Sequence, residues 1–167
     1  MLPPARDRRP LPRMGHVAEL KERLRADLND AMRARDKVRM RTLRMALSSI
    51  TNEEVAGTSA RALSDEEVMK VLTREARKRR EAAEAFGAAG RAEQAAAERA
   101  EGEVLAGYLP AQLTDEELSA LVTAAIDDTG ASDMSGMGQV MKTLTPRVAG
   151  RADGARVAAE VRRRLAG

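Results

Sequence analysis

The sequence contains no cysteine and no tryptophan, and it has one tyrosine, one phenylalanine and one histidine in 167 residues. The absence of cysteine excludes disulfide bonds, thiolate metal sites and cysteine nucleophiles. The scarcity of aromatic rings excludes the usual modules that stack single-stranded bases. Leucine, valine, isoleucine, methionine and alanine must therefore fill the core, and nine methionines indicate an adaptable core filler.

Long hydrophobic runs are also missing, since none approaches the roughly 20 residues of a membrane-spanning helix. Residues 1–13 carry four arginines and four prolines. The prolines prevent an amphipathic targeting helix, and no apolar signal core follows them. We predict a cytoplasmic protein without a membrane partner. Residues 1–16 are expected to form a disordered basic tail, and the functional chain is expected to begin near Met14.

Groups that could perform catalysis are scarce. The single histidine, His16, adjoins the tail, where a lone histidine is usually incidental. The acidic runs at 65–67 and 115–117 are explained by helix capping and the helix dipole. No phosphate-binding loop or dinucleotide fingerprint is present. We predict no catalytic residue, no cofactor and no metal site, and we expect no glutaminase or ATP-dependent ligase activity from the chain alone.

Apolar residues recur with the helical period along most of the chain. The first stripe runs from Val17 to Ala31, and a second begins at Met40 and ends towards Gly57. Further helices are predicted from residue 64 to about Phe86, over roughly 91–107, from Thr114 to Gly130, from Met137 to a stop at Pro146, and from residue 154 to Leu165. Glycines 87 and 90 are expected to end the third helix. No segment alternates like a strand, so the predicted fold is all-α.

The segment from Tyr108 to Leu118 is the most informative. Thr114 is a good N-cap, Glu117 completes a capping box, and Leu113 and Leu118 occupy the positions of a hydrophobic staple. Pro110 turns the residue before it away from helical geometry. This joint predicts an N-terminal helical bundle over residues 17–108 and a C-terminal three-helix subdomain over residues 109–167.

Charge is distributed unevenly. The net charge is +6 over residues 1–63, −2 over 64–109, −6 over 110–133 and +5 over 134–167. The last segment is either a solvated surface balanced by the acidic helix or a surface for anions and nucleic acid. The basic run 77–80 is open to the same two interpretations, and pairs such as Arg77–Glu81 and Arg80–Glu84 would favour the first.

Several blocks follow one another in a recognisable order from about residue 18 to the end. They are Arg44-Met45, Leu72 to Arg79 with Phe86, Arg91, Tyr108 to Leu113 with Glu116 to Leu118, Gly130 to Ser132, Met137 to Met141, Pro146 to Val148, and Gly150 to Gly154. In order and spacing these blocks resemble the YqeY family. Gly136 departs from the resemblance, because relatives often carry an acidic residue there, which weakens an N-cap role for this position.

The resemblance implies two all-helical subdomains. The family is similar to the C-terminal tail of the B subunit of the tRNA-dependent amidotransferase, which implies a role in tRNA binding. It also implies the label of a carbon–nitrogen ligase with glutamine as the nitrogen donor. The kinase cradle and the amidase subunit of that enzyme have no counterpart in these 167 residues.

The sequence therefore favours a cofactor-free helical module that binds tRNA, another structured RNA or a translation-related partner. One alternative is an accessory component of an amidotransferase whose other subunits carry out the reaction. Another is a protein–protein adaptor that uses the acidic helix within residues 110–133. The RNA-binding candidates are Lys142, Arg147, Arg151, Arg156, Arg162, Arg163 and Arg164.

Overall fold

Residues 18–167 are described by the structure, a computed structural model, and the predicted tail with His16 and Val17 lies outside them. Within this range the chain is all-α, as predicted: it forms seven α-helices and one short 3-10 helix, with no strand. The α-helices are α1 (Glu19–Ala34), α2 (Lys37–Val55), α3 (Asp65–Ala88), α4 (Ala92–Ala106), α5 (Asp115–Thr129), α6 (Met137–Val148) and α7 (Gly154–Leu165), and the 3-10 helix is Met134–Gly136.

Capping side chains set the beginnings of α3 and α5. Each begins with a capping box, formed by Ser64 and Glu67 in α3 and by Thr114 and Glu117 in α5. The side chain of the N-cap accepts a bond from the third helical N–H, and the glutamate accepts one from the N-cap N–H. The box at Thr114 and the beginning of α3 after residue 64 confirm the predictions made from the sequence.

Two helices run past a predicted stop, although Gly90, with a φ of +73°, follows the end of α3 as predicted. Helix α3 continues through Gly87 to Ala88, because one glycine costs a helix only about 1 kcal/mol and α3 packs along α4. Helix α6 continues through Pro146 to Val148. Proline lacks an N–H and cannot bond the preceding turn, but the extension keeps Val148 buried beside Leu144.

Gly136 precedes α6 without a side-chain cap, and Asp133 caps the short 3-10 helix instead, accepting a bond from Ser135 N at 2.8 Å. An ideal Cβ on Gly136 would lie 2.5 Å from the Cβ of Ala131. Close approach of the backbone therefore explains a glycine where the resemblance suggests an acid.

Helices α1 to α4 enclose the first of two hydrophobic cores. Leu24, Leu43, Ile50, Leu72 and Leu105 are fully buried there. The N-terminus of α1 has no cap of its own, and Asp65 of α3 accepts a bond from Leu20 N at 2.8 Å. This bond fixes the start of α1 against the start of α3.

Tyr108 closes this first core at the end of α4. Its hydroxyl donates to Asp27 of α1, which also pairs with Arg39 of α2 at 3.4 Å. The guanidinium of Arg23 stands 4.8 Å from the centre of the ring. Burial is the main reason why the pKa of Tyr108 is raised, and the bond to Asp27 acts in the same direction. The only tyrosine thus ties three helices together.

Helices α5, α6 and α7 enclose the second core. Val122, Val140, Leu144 and Val161 are fully buried in it. The residues buried in both cores are mainly leucine, valine, isoleucine and alanine, and none of the described methionines is among them. The expectation that methionine fills the core is therefore wrong, since methionines such as Met137 and Met141 lie at its edge.

The joint separates the two cores. Helix α4 ends at Ala106 and α5 begins at Asp115, as predicted. Gln112 Nε2 donates to the carbonyls of Pro110 and Gly150 at 2.8 Å each, and Leu113 N donates to Arg151 O at 2.9 Å. The joint is thereby held by the loop between α6 and α7. The division into two subdomains, over residues 17–108 and 109–167, stays a prediction.

Candidate nucleic-acid interface

Helix α7 carries four of the seven candidates, and all four are arginines. Val157, Val161 and Leu165 face the core at a spacing of four residues. Since each helical residue turns by about 100°, Arg162 and Arg163 cannot point in the same direction. Arg163 lies on the side of α7 that faces Ser119 and Asp115 of α5, where it lines a shallow cavity with them.

Two candidate arginines form ion pairs with the acidic helix α5. Arg156 Nη2 lies 2.6 Å from Asp115 Oδ1, and Arg147 Nη2 lies 2.7 Å from Asp128 Oδ2. The two carboxylates stand near opposite ends of α5. Part of the positive charge of residues 134–167 is therefore neutralised directly by carboxylates of α5. This agrees with the interpretation of the charge distribution in which the acidic helix balances a solvated basic surface.

Glu160 holds two further candidates. Arg163 bonds both of its oxygens, at 2.6 and 2.9 Å, and Arg164 lies 3.3 Å away while also donating to Ser119. The bond from Arg163 is the main cause that lowers the pKa of Glu160 to about 2. These two cations are thus partly neutralised within their own helix.

Arg151 and Arg156 also hold the joint in place. Arg151 Nε donates to Ala111 O at 3.1 Å, and Arg156 Nη1 donates to Leu113 O at 2.9 Å. The side chain of Arg156 is only 20% exposed. The sequence gives no sign of this structural role, because the two arginines and the carbonyls they bind are about 40 residues apart.

Lys142 and Arg162 are the candidates that remain exposed with no carboxylate within 4 Å in residues 18–167. They lie on α6 and α7 respectively. The seven candidates therefore differ in how they are paired. They comprise two unpaired cations, four paired arginines and Arg151, which bonds to a carbonyl.

A groove that sequence analysis missed lies between the two halves. It has a volume of about 330 Å³, and its walls include Arg77 and Arg80 of α3, Arg99 of α4 and Arg156 of α7. Helical spacing predicts that Arg77 and Arg80 share a side of α3. It cannot predict that Arg156 lies opposite them, because only tertiary packing brings α7 to this place.

The basic run 77–80 is dispersed among several partners. Arg77 pairs with Glu81 at 3.3 Å, as predicted, and also with Asp153 at 3.3 Å. Lys78 and Arg79 bond glutamates on α3 and α4. The predicted pair Arg80–Glu84 does not form. Most of this run serves the packing of the helices, and Arg80 borders the groove.

In the part of the chain that the structure describes, no group of three or more histidine, aspartate or glutamate side chains is placed to hold a metal ion. None of the helices within residues 18–167 combines the length and apolar character that a membrane crossing requires.

The fold and the site define an all-helical protein with two hydrophobic cores, in which the basic helices α6 and α7 pack on the acidic helix α5. The family model described as Yqey-like protein matches residues 21–165. The chain belongs to this YqeY-like family. None of the curated proteins compared with the sequence matches it.

Proposed function

We propose that this protein binds structured RNA, with tRNA as the preferred class, through cations of residues 134–167. The observation that carries the proposal is the exposed position of Lys142 and Arg162, which have no carboxylate partner within residues 18–167. The net charge of +5 on residues 134–167 supports it. So does the resemblance to the tail of an enzyme that acts on tRNA.

The contacts proposed are to phosphates rather than to bases. Arginine and lysine are the residues that neutralise phosphates, and base stacking needs aromatic platforms that this chain lacks. Affinity is then expected to depend strongly on salt and little on RNA sequence. With three to five cations engaged, log affinity should fall against log salt with a slope of about −3 to −5.

The experiment is a titration of labelled tRNA at several salt concentrations. The double variant Lys142→Gln/Arg162→Gln should bind more weakly and lose roughly two units of slope. The control variant Arg25→Gln/Arg33→Gln removes the same charge from exposed pairs on α1. Equal binding by the two variants would reject this surface.

The role as an accessory part of an amidotransferase is a separate proposal, which the family resemblance supports. It predicts co-purification with amidotransferase subunits and ammonia release from glutamine only when those subunits are present. Retention of another protein by α5, lost when its exposed acids are neutralised, would instead favour an adaptor.

A further inference from the structure

Helix α5 supplies one carboxylate near each end to an arginine of a neighbouring helix. Asp115 bonds Arg156 of α7 and Asp128 bonds Arg147 of α6, at 2.6 and 2.7 Å. Their chain neighbours Glu116 and Asp127 have no cation within 4 Å in residues 18–167. The pairing is therefore specific to two of the acids and does not follow from the acidic character of α5 alone.

A guanidinium recognises carboxylate and phosphate oxygens with the same arrangement of N–H donors. An arginine that bonds an aspartate is thus already oriented for a phosphate. The aspartates are accessible from solvent, since the side chain of Asp115 is 92% exposed and that of Asp128 is 55% exposed. Ion pairs of this kind contribute little stability and are easily exchanged.

Arg156 is built so that it can exchange its partner without moving. Its Nη2 bonds Asp115, whereas its Nη1 bonds the carbonyl of Leu113 at 2.9 Å. The second bond keeps the guanidinium in position when Asp115 leaves.

We infer that Asp115 and Asp128 occupy, in the free protein, two positions that phosphate groups of a bound RNA take over. Arg156 and Arg147 are then phosphate-binding residues, and the two aspartates compete with the RNA. This inference rests on the proposed function.

The separation of the two positions restricts the ligand. Asp115 and Asp128 are 13 residues apart in one helix, which corresponds to about 20 Å along its axis. A free phosphate or a mononucleotide cannot span that distance. Displacement of both carboxylates requires a polyanion several nucleotides long, such as tRNA.

The test compares two double variants of the full chain that have the same change in net charge. Asp115→Asn/Asp128→Asn frees both arginines, and Glu116→Gln/Asp127→Asn removes two unpaired acids next to them. Titration with tRNA at low salt should show the first variant binding roughly 2- to 30-fold more tightly than the second, as expected for two exposed ion pairs that no longer compete. Circular dichroism checks that both keep the helix content of the parent.

Equal gains by the two variants would overturn the inference and leave the proposed function intact, because net charge alone would then explain the gain. Binding of tRNA by none of the three proteins would reject the proposed function itself. Competition by inorganic phosphate at the concentration of tRNA phosphate would also overturn the inference, since it would show that single anions suffice.

Discussion

The sulfur of Met69 occupies the space that a side chain on residue 150 would need. An ideal Cβ on Gly150 would lie 2.1 Å from Met69 Sδ and 3.2 Å from Pro110 Cγ. Gly150 also has a φ of +70°, in the left-handed region. This contact joins α3 of the first core to the loop between α6 and α7, and it acts together with the ion pair between Arg77 and Asp153.

We expect Gly150→Ala to destabilise the protein more than Gly90→Ala. Both glycines have φ near +70°, so both substitutions incur the left-handed penalty of about 1–2 kcal/mol. An ideal Cβ on Gly90 meets nothing within 4 Å, whereas one on Gly150 meets Met69. Urea unfolding measures the difference, and equal losses would show that the contact with Met69 is not tight.

Replacing Arg156 by glutamine should lower the free energy of unfolding by about 1–3 kcal/mol, because the part-buried carbonyl of Leu113 loses a charged donor. Arg162→Gln removes the same charge from an exposed position and should change stability by less than about 0.5 kcal/mol. If the two variants unfold at the same urea concentration, the structural role of Arg156 is wrong. Variants of Arg162 are therefore the cleaner test of RNA binding.

Thr114→Ala should cost about 1 kcal/mol, the usual effect of losing an N-cap. Its Oγ1 accepts the bond from Glu117 N at 3.1 Å. Thr123→Ala is the matched control, because the Thr123 hydroxyl donates only to the carbonyl of Ser119 in the same exposed helix. Denaturation curves of the two variants should differ, and a neutral Thr114→Ala would contradict the capping role.

The stability of the protein should decrease in acid through Glu160. Its pKa is lowered to about 2 from an ordinary value of 4.5, chiefly by the bond from Arg163. The stabilisation is therefore complete above about pH 4.5 and is lost as the pH falls towards 2. Glu160→Gln should flatten the curve of unfolding free energy against pH over this interval. An unchanged curve would show that Glu160 is not coupled to folding.

The sequence predicts helix beginnings well where every group involved is local. The capping boxes at Ser64 and Thr114 need only residues three apart, and the helical period of apolar residues gives the all-α class. Helix ends were harder to predict. Gly87 and Pro146 weaken a helix locally, but packing along α4 and burial of Val148 extend α3 and α6 beyond them.

The sequence also determined the order of charges along the chain, with an acidic segment over residues 110–133 followed by a basic segment over residues 134–167. Only the tertiary structure decided which cations are free. Arg156 meets Asp115 across 41 residues and Arg147 meets Asp128 across 19, whereas Lys142 and Arg162 meet no acid within residues 18–167. The physical reason is that an ion pair depends on distances of a few ångströms between side chains. Helical period fixes the direction of a side chain on its own helix, and the packing of α5, α6 and α7 fixes what lies opposite it.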